Sequence, residues 1–63
     1  MGEKLKAKRK AVGLKVKTVA EQLGKSRITI WEYETNRRKP SIKILIQLAK
    51  LYGCTINDFV ENS

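Results

Sequence analysis

Residues 16–35, VKTVAEQLGKSRITIWEYET, form the stretch that decides the fold of this chain. Its first half repeats apolar residues on one helical face, at about 100° per residue: Val16, Val19, Ala20 and Leu23. Its second half places three further residues on an inward face: Ile30, Tyr33 and Glu34. Gly24 suits the left-handed residue that ends a helix, and Ser26 suits the N-cap of the next helix. The stretch therefore predicts two short, packed helices joined by a tight turn.

The distribution of charge indicates what kind of helix pair this is. Spacing alone leaves open both a helix-turn-helix and an ordinary αα-hairpin of a small bundle. Residues 1–17 hold seven basic residues and one acid, residues 18–35 hold two and three, and residues 36–50 hold five and none. A sequence-specific DNA-binding protein needs this arrangement, because flanking cations neutralise phosphates while the helix that enters the groove discriminates base edges. The pattern favours the helix-turn-helix.

The rest of the chain predicts three more helices. Residues 2–13 form the first, which Gly13 ends, and residues 42–52 form the fourth, which begins after Ser41 and ends at Gly53. A capping box between Thr55 and Asp58 predicts a last short helix. That helix would carry Ile56, Phe59 and Val60. The sequence thus predicts an all-α, five-helix fold in a single domain over residues 1–63.

Arg9 and Glu34 are predicted to form an ion pair between the first and third helices. Arg9 lies between Leu5 and Val12 on the apolar stripe of the first helix, and Glu34 lies on the inward face of the third. An unpaired buried charge is costly, so each residue supplies the partner that the other needs. The alternative is that both side chains extend to solvent.

Composition limits the classes of function. The 63-residue chain has a net charge of +8, no histidine and one cysteine, which excludes an internal disulfide, a Cys/His zinc cluster and imidazole catalysis. We therefore expect no enzyme activity, metal or cofactor. Cys54 is expected to be a small buried hydrophobe rather than a reactive thiol, and an unpaired cysteine suits a reducing cytoplasm.

The excess of positive charge indicates a polyanionic partner. The longest apolar run, residues 44–46, is too short to span a bilayer, so a soluble, cytoplasmic protein is expected. An anionic membrane surface is the lesser candidate, because no segment sets a broad Trp/Phe/Leu face opposite its lysines. Nucleic acid is the preferred partner.

Nearly the whole chain resembles the lambda-repressor-like, or Cro/XRE, helix-turn-helix family. The matching residues are widely spread: Gly13-Leu14, Ala20, Leu23-Gly24, Ser26, Ile30, Glu34, Lys39-Pro40-Ser41, Leu48-Ala49, Gly53 and the Thr55-to-Asp58 cap. The resemblance implies a five-helix DNA-binding domain, usually a dimeric transcriptional regulator, with an Arg-Glu bridge at Arg9 and Glu34. Val16 stands where the family commonly has a phosphate-binding glutamine, and Lys15 or Lys17 could replace that contact.

The outer arc of the third helix is predicted to enter the major groove of double-stranded DNA. Four residues are predicted to face the bases: Arg27, Ile28, Trp31 and Glu32. Arg27 could bind guanine O6 and N7, Ile28 could meet a thymine methyl group, and Glu32 could accept from cytosine N4. A lone tryptophan is more often packed against protein, which is the alternative for Trp31. Five residues are predicted to contact phosphates: Lys15, Lys17, Arg37, Arg38 and Lys39.

Self-association is predicted through one side of the fourth helix. Ile44 and Leu51 lie beyond the arc predicted to face the core, which contains Ile42, Leu45, Ile46 and Ala49. With Phe59 or Val60 they could form an apolar dimer face, although the last helix could instead fold back over them. The resulting interpretation is a homodimeric repressor. Its rivals are a protein-interaction module, such as an antitoxin or adaptor, and a non-specific or RNA-binding basic protein.

Overall fold

The computed structural model describes residues 1–60, which form four α-helices and one 3-10 helix. In chain order these are α1 (Gly2–Ala11), α2 (Val16–Leu23), α3 (Arg27–Glu34), α4 (Ile42–Tyr52) and the C-terminal 3-10 helix (Ile56–Phe59). This part of the chain contains no strand, and none of its helices is long and apolar enough to cross a membrane. The all-α class is confirmed, whereas the predicted fifth α-helix is a 3-10 helix.

Hydrogen bonds hold both ends of the 3-10 helix. At its start, the backbone N–H of Thr55 donates to Asp58 Oδ2 at 3.0 Å, as the predicted capping box requires. This bond is the main reason that the pKa of Asp58 lies below its usual value. At its end, Val60 has an extended backbone, and its carbonyl accepts from Lys4 Nζ at 3.1 Å. The chain leaves the helical conformation directly after Phe59, which is fully buried in the core.

The hydrophobic core is built by all five elements. Its buried apolar side chains are Leu5, Val19, Ala20, Ile30, Tyr33, Leu45, Leu48, Ala49, Tyr52 and Phe59. The rings of Tyr52 and Phe59 pack edge to face with centroids 6.2 Å apart. Burial raises the pKa of the Tyr52 hydroxyl well above its usual range. Cys54 packs half-buried against this core, and burial raises the pKa of its thiol, which keeps it in the less nucleophilic protonated form.

The inward arc predicted for α4 is wrong at two positions. Ile42 and Ile46 were assigned to the core, but they are 66% and 42% exposed. Leu48 and Tyr52 are buried in their place, since the inward face of α4 turns towards Phe59 of the 3-10 helix. The exposed apolar edge of α4 therefore lies at Ile42 and Ile46.

Burial contradicts the predicted dimer face at one of its residues. Phe59 is fully buried within the chain and cannot contact a second copy. Ile44 and Leu51 are half-buried and pack against the core, so each exposes only part of its side chain. Of the four residues assigned to this face, Val60 alone is largely exposed, at 44%. The fold-back of the C-terminal segment, which the sequence left open, accounts for the burial of Phe59.

Candidate nucleic-acid interface

The turn between α2 and α3 has the geometry predicted from the sequence. Gly24 ends α2 with φ at 65°, in the left-handed region that favours glycine. Ser26 Oγ accepts from the Thr29 N–H at 3.1 Å and so caps the start of α3. The cap makes Arg27 the first helical residue of α3. Burial of Ile30, Tyr33 and Glu34 then leaves the opposite side of α3 facing outward.

The outer face of α3 holds the four residues predicted to face bases. Arg27 is exposed, Ile28 is 69% exposed and Trp31 is 49% exposed. Glu32 is half-buried beside them. Trp31 is therefore not packed in the core, which was the alternative for it. Large exposed apolar side chains on a small domain commonly mark a contact surface.

Two arginines that follow α3 contact residues on this outer face. The Arg37 guanidinium carbon lies 4.8 Å from the centre of the Trp31 ring, within the range of a cation–π interaction. Arg38 Nε donates to Glu32 Oε1 at 3.1 Å. Arg37 and Arg38, which are predicted to contact phosphates, therefore contact two residues that are predicted to contact bases. These pairings could not be read from the sequence.

The segment that carries these arginines, residues 36–40, is named the basic loop. Asn36 turns the chain with φ at 62°, and its Oδ1 accepts from the Gly2 N–H at 2.9 Å. The backbone N–H groups of Arg37 and Arg38 both donate to the Glu32 carbonyl, at 2.9 and 3.2 Å. Residues 37–39 are exposed and Pro40 is buried. The basic loop is thus anchored at both ends and presents its cations to solvent.

Gly2 and Asn36 position the basic loop, a role that was not predicted from the sequence. A Cβ atom on Gly2 would lie 2.5 Å from the Glu34 carbonyl oxygen, so the start of α1 approaches the end of α3 as only glycine allows. The one available signal was Asn36 itself, because asparagine tolerates the left-handed conformation needed just after a helix. No sequence signal connected it to Gly2.

A second group of cations lies at the start of α2. Lys15 is the N-cap of that helix but makes no side-chain capping bond, and both Lys15 and Lys17 are exposed. Free backbone N–H groups and lysines at a helix N-terminus together attract an anion. The structure therefore has exposed cations both at the start of α2 and after the end of α3.

The predicted ion pair between α1 and α3 is present. Arg9 Nε lies 2.6 Å from Glu34 Oε2, and Arg9 Nη2 lies 3.1 Å from Glu34 Oε1. Arg9 Nη1 also donates to the Leu14 carbonyl at 2.8 Å. Both charged residues are buried. The bidentate pair ties the candidate recognition helix to α1, so α3 is held on the side opposite its exposed face.

Comparison with known proteins supports this reading of the fold. A family profile described as helix-turn-helix matches residues 5–59. A protein of Pyrobaculum aerophilum, named as an HTH-type transcriptional regulatory protein, is 40% identical over 52 residues, which is 82% of this chain and 21% of the relative. A similarly named protein of Sulfurisphaera tokodaii is 43% identical over 51 residues, which is 81% of this chain and 17% of the relative. The chain therefore spans about a fifth of the length of these relatives.

The fold is also similar to that of a solved structure. SinR, described as the master regulator for biofilm formation and crystallised in complex with DNA, superposes with a TM-score of 0.84 at 23% identity. The match covers 95% of this chain and 100% of the SinR chain. The likeness to SinR shows a shared fold, and the family profile includes α2, α3 and the turn between them. The chain belongs to the lambda-repressor-like, or Cro/XRE, helix-turn-helix family.

Proposed function

We propose that this protein is a transcriptional regulator that binds double-stranded DNA sequence-specifically, with α3 in the major groove. The observation that carries the proposal is the exposed outer face of α3 with exposed cations at the start of α2 and after α3. The names of the two relatives and the DNA complex of SinR support the same assignment.

In the proposed complex, Arg27 and Ile28 at the start of α3 make the sequence-specific contacts. The Arg27 guanidinium donates hydrogen bonds to guanine O6 and N7, and the Ile28 side chain packs against a thymine methyl group. Lysines at the start of α2 and the cations of the basic loop bind phosphates, which positions α3 but carries no sequence information. The division of roles can be tested because base and phosphate contacts respond differently to salt and sequence.

The test begins with selection of bound fragments from random duplex DNA. Arg27→Ala should then cost about 1–3 kcal/mol on the selected site and relax its sequence preference. Lys39→Ala should weaken selected and random duplexes alike and reduce the salt slope by about one. Lys10→Ala removes the same charge from an exposed site on α1 and serves as the control.

Two results would contradict the proposal. If the selection enriches no sequence, sequence-specific binding is ruled out. Equal losses on selected and random DNA for Arg27→Ala would remove Arg27 from the base-contacting group, even if the protein binds DNA.

We further propose that the protein acts as a homodimeric repressor, with the exposed edge of α4 at Ile42 and Ile46 as the dimer face. These two isoleucines are one turn apart, so they lie side by side on the helix surface. A two-fold pairing would place the two α3 helices in successive major grooves about 34 Å apart, and the operator would be a near-palindrome. The same edge could instead hold a different protein, as the rival interaction module requires.

Sedimentation of the parent and of Ile46→Lys, with and without the selected duplex, separates these possibilities. Gln47→Lys introduces the same charge at the neighbouring exposed position and is the matched control. A dimer predicts two-to-one binding to a palindrome that Ile46→Lys weakens and Gln47→Lys preserves. A folded Ile46→Lys variant that binds two-to-one with parental affinity would exclude this face, and one-to-one binding by the parent would favour the interaction module. Repression itself would be read from a reporter gene with the selected site in its promoter.

A further inference from the structure

Two side chains on the outer face of α3 are already engaged before any DNA is bound. Glu32 accepts a bond from Arg38, and the Trp31 ring lies against Arg37. A base-reading residue has to present its polar or apolar groups to the groove, whereas these groups are directed towards arginines of the basic loop. The pairings therefore suggest a different role from the one that the sequence predicts for Trp31 and Glu32.

We propose that Trp31 and Glu32 are positioning residues that hold Arg37 and Arg38 as a preformed phosphate clamp, and that they do not read bases. This inference rests on the DNA-binding function proposed above. It assigns sequence readout to the first turn of α3 and backbone binding to the second turn with the basic loop. Specificity would then depend on Arg27 and Ile28 alone among the four residues predicted to contact bases.

The geometry of the Arg38 pair leaves its phosphate-binding groups available. Glu32 Oε1 accepts from Nε of the guanidinium, so the two terminal nitrogens can still donate to a phosphate as a fork. The Arg38 side chain is 59% exposed and that of Glu32 is 26% exposed, so the anion is shielded while the cation faces solvent. Fixing the long arginine side chain in advance reduces the conformational entropy lost on binding.

The Arg37 pair involves no hydrogen bond from a guanidinium nitrogen to Trp31. The guanidinium carbon lies over the Trp31 ring at 4.8 Å from its centroid, and such a cation–π contact consumes no hydrogen-bond acceptor. Trp31 is half-exposed, so the ring supports Arg37 at the surface without withdrawing it from solvent.

The backbone beneath both arginines is also fixed. Their two N–H groups donate to the carbonyl of Glu32, and Asn36 is bonded to Gly2 at the start of α1. The clamp is thus held by hydrogen bonds to its backbone and by contacts of its side chains with Trp31 and Glu32 of α3. The bond from Arg38 to Glu32 uses Nε and not a terminal guanidinium nitrogen.

The contact between Arg37 and Trp31 can be tested without DNA, because Trp31 is the only tryptophan in the chain. Arg37→Ala should shift the emission of Trp31 and increase its quenching by acrylamide. Lys39→Ala removes a neighbouring cation of the basic loop and should change neither. Identical emission and quenching for the parent and Arg37→Ala would overturn the assignment of Trp31.

The role of Glu32 is tested by a double-mutant cycle with Arg38 in salt-dependent DNA binding. Glu32→Ala should weaken selected and random duplexes by the same factor and lower the salt slope by up to about 0.9, the contribution of one phosphate contact. It should cause no further loss in the Arg38→Ala background. Glu32→Gln, which keeps an acceptor oxygen for Arg38, should recover part of the loss. Glu21→Ala removes an exposed acid from α2 as a charge-matched control and should not weaken binding.

Base reading by Glu32 predicts a different set of results. Glu32→Gln would then shift the preferred base from cytosine towards adenine, and the loss caused by Glu32→Ala would persist in Arg38→Ala. Either result, with a parent that binds its selected site, would overturn this inference alone. A parent that binds no duplex would overturn the proposed function and this inference together.

Discussion

Replacement of Glu34 by glutamine is expected to remove much of the stability of this fold. Arg9 and Glu34 are 8% and 9% exposed, and two bonds of 2.6 and 3.1 Å join them. The bond to Glu34 raises the pKa of the Arg9 guanidinium, so the cation has no tendency to lose its proton. Glu34→Gln would therefore leave a buried positive charge with only a neutral partner.

The expected loss is large relative to the stability of a chain this short. Removal of one partner of a buried pair costs about 3–5 kcal/mol. At about 0.05–0.15 kcal/mol per residue, a domain of this size has roughly 3–9 kcal/mol in total. A small domain loses about 4–8 °C of melting temperature per kcal/mol, so a decrease of about 12 °C or more is expected. Arg9→Met should cost more than Glu34→Gln, because the Leu14 carbonyl also loses its donor.

Urea unfolding at neutral pH, followed by circular dichroism, would measure the effect. Glu32→Gln provides the control, because it alters an ion pair whose Arg38 side chain is 59% exposed. An exposed pair of this kind contributes about 0–1 kcal/mol, so the control should resemble the parent. If Glu34→Gln unfolds within about 0.5 kcal/mol of the parent, the buried pair is not a determinant of stability and the reasoning from burial is wrong.

Three further perturbations follow from the structure. Burial raises the pKa of Tyr52 above its unfolded value of about 10, so its contribution to stability is complete below pH 10 and is lost as the pH rises. Between about pH 10 and 12, Tyr52→Phe should therefore lose less unfolding free energy than the parent. Parallel pH profiles for the two proteins would contradict this. The Thr55 N–H lowers the pKa of Asp58, so the carboxylate's contribution to stability is present above about pH 4 and is lost on acidification. Asp58→Asn should therefore be less stable than the parent at pH 7. Urea titrations should show this difference shrinking at pH 3. Gly2→Ala should lower the free energy of unfolding by about 1–3 kcal/mol despite the better helix propensity of alanine, because the added Cβ would lie 2.5 Å from the Glu34 carbonyl oxygen. A thermal melt would measure the loss. An unchanged melting temperature would show that α1 shifts freely.

The sequence by itself determined the four α-helices and the outward face of α3, but it predicted a fifth α-helix where the structure has a 3-10 helix. Periodicity and caps are local, so Gly24 and Ser26 specify where α2 ends and α3 begins without reference to the rest of the chain. The pairing of Arg9 with Glu34 could also be predicted, because two opposite charges on inward stripes of a small domain require each other. The exposure of Arg27 on the candidate site followed from the same helical period.

The tertiary structure alone decided how these elements meet. Ile42 and Ile46 are exposed because the 3-10 helix, which is distant in sequence from the start of α4, sets the rotation of that helix through Phe59. The contact of Gly2 with Asn36 depends on how closely α1 approaches the end of α3. Helical periodicity gives the direction of a side chain relative to its own helix axis. Which partner it meets there depends on the packing of segments that are far apart in the chain, and packing is a property of the whole core.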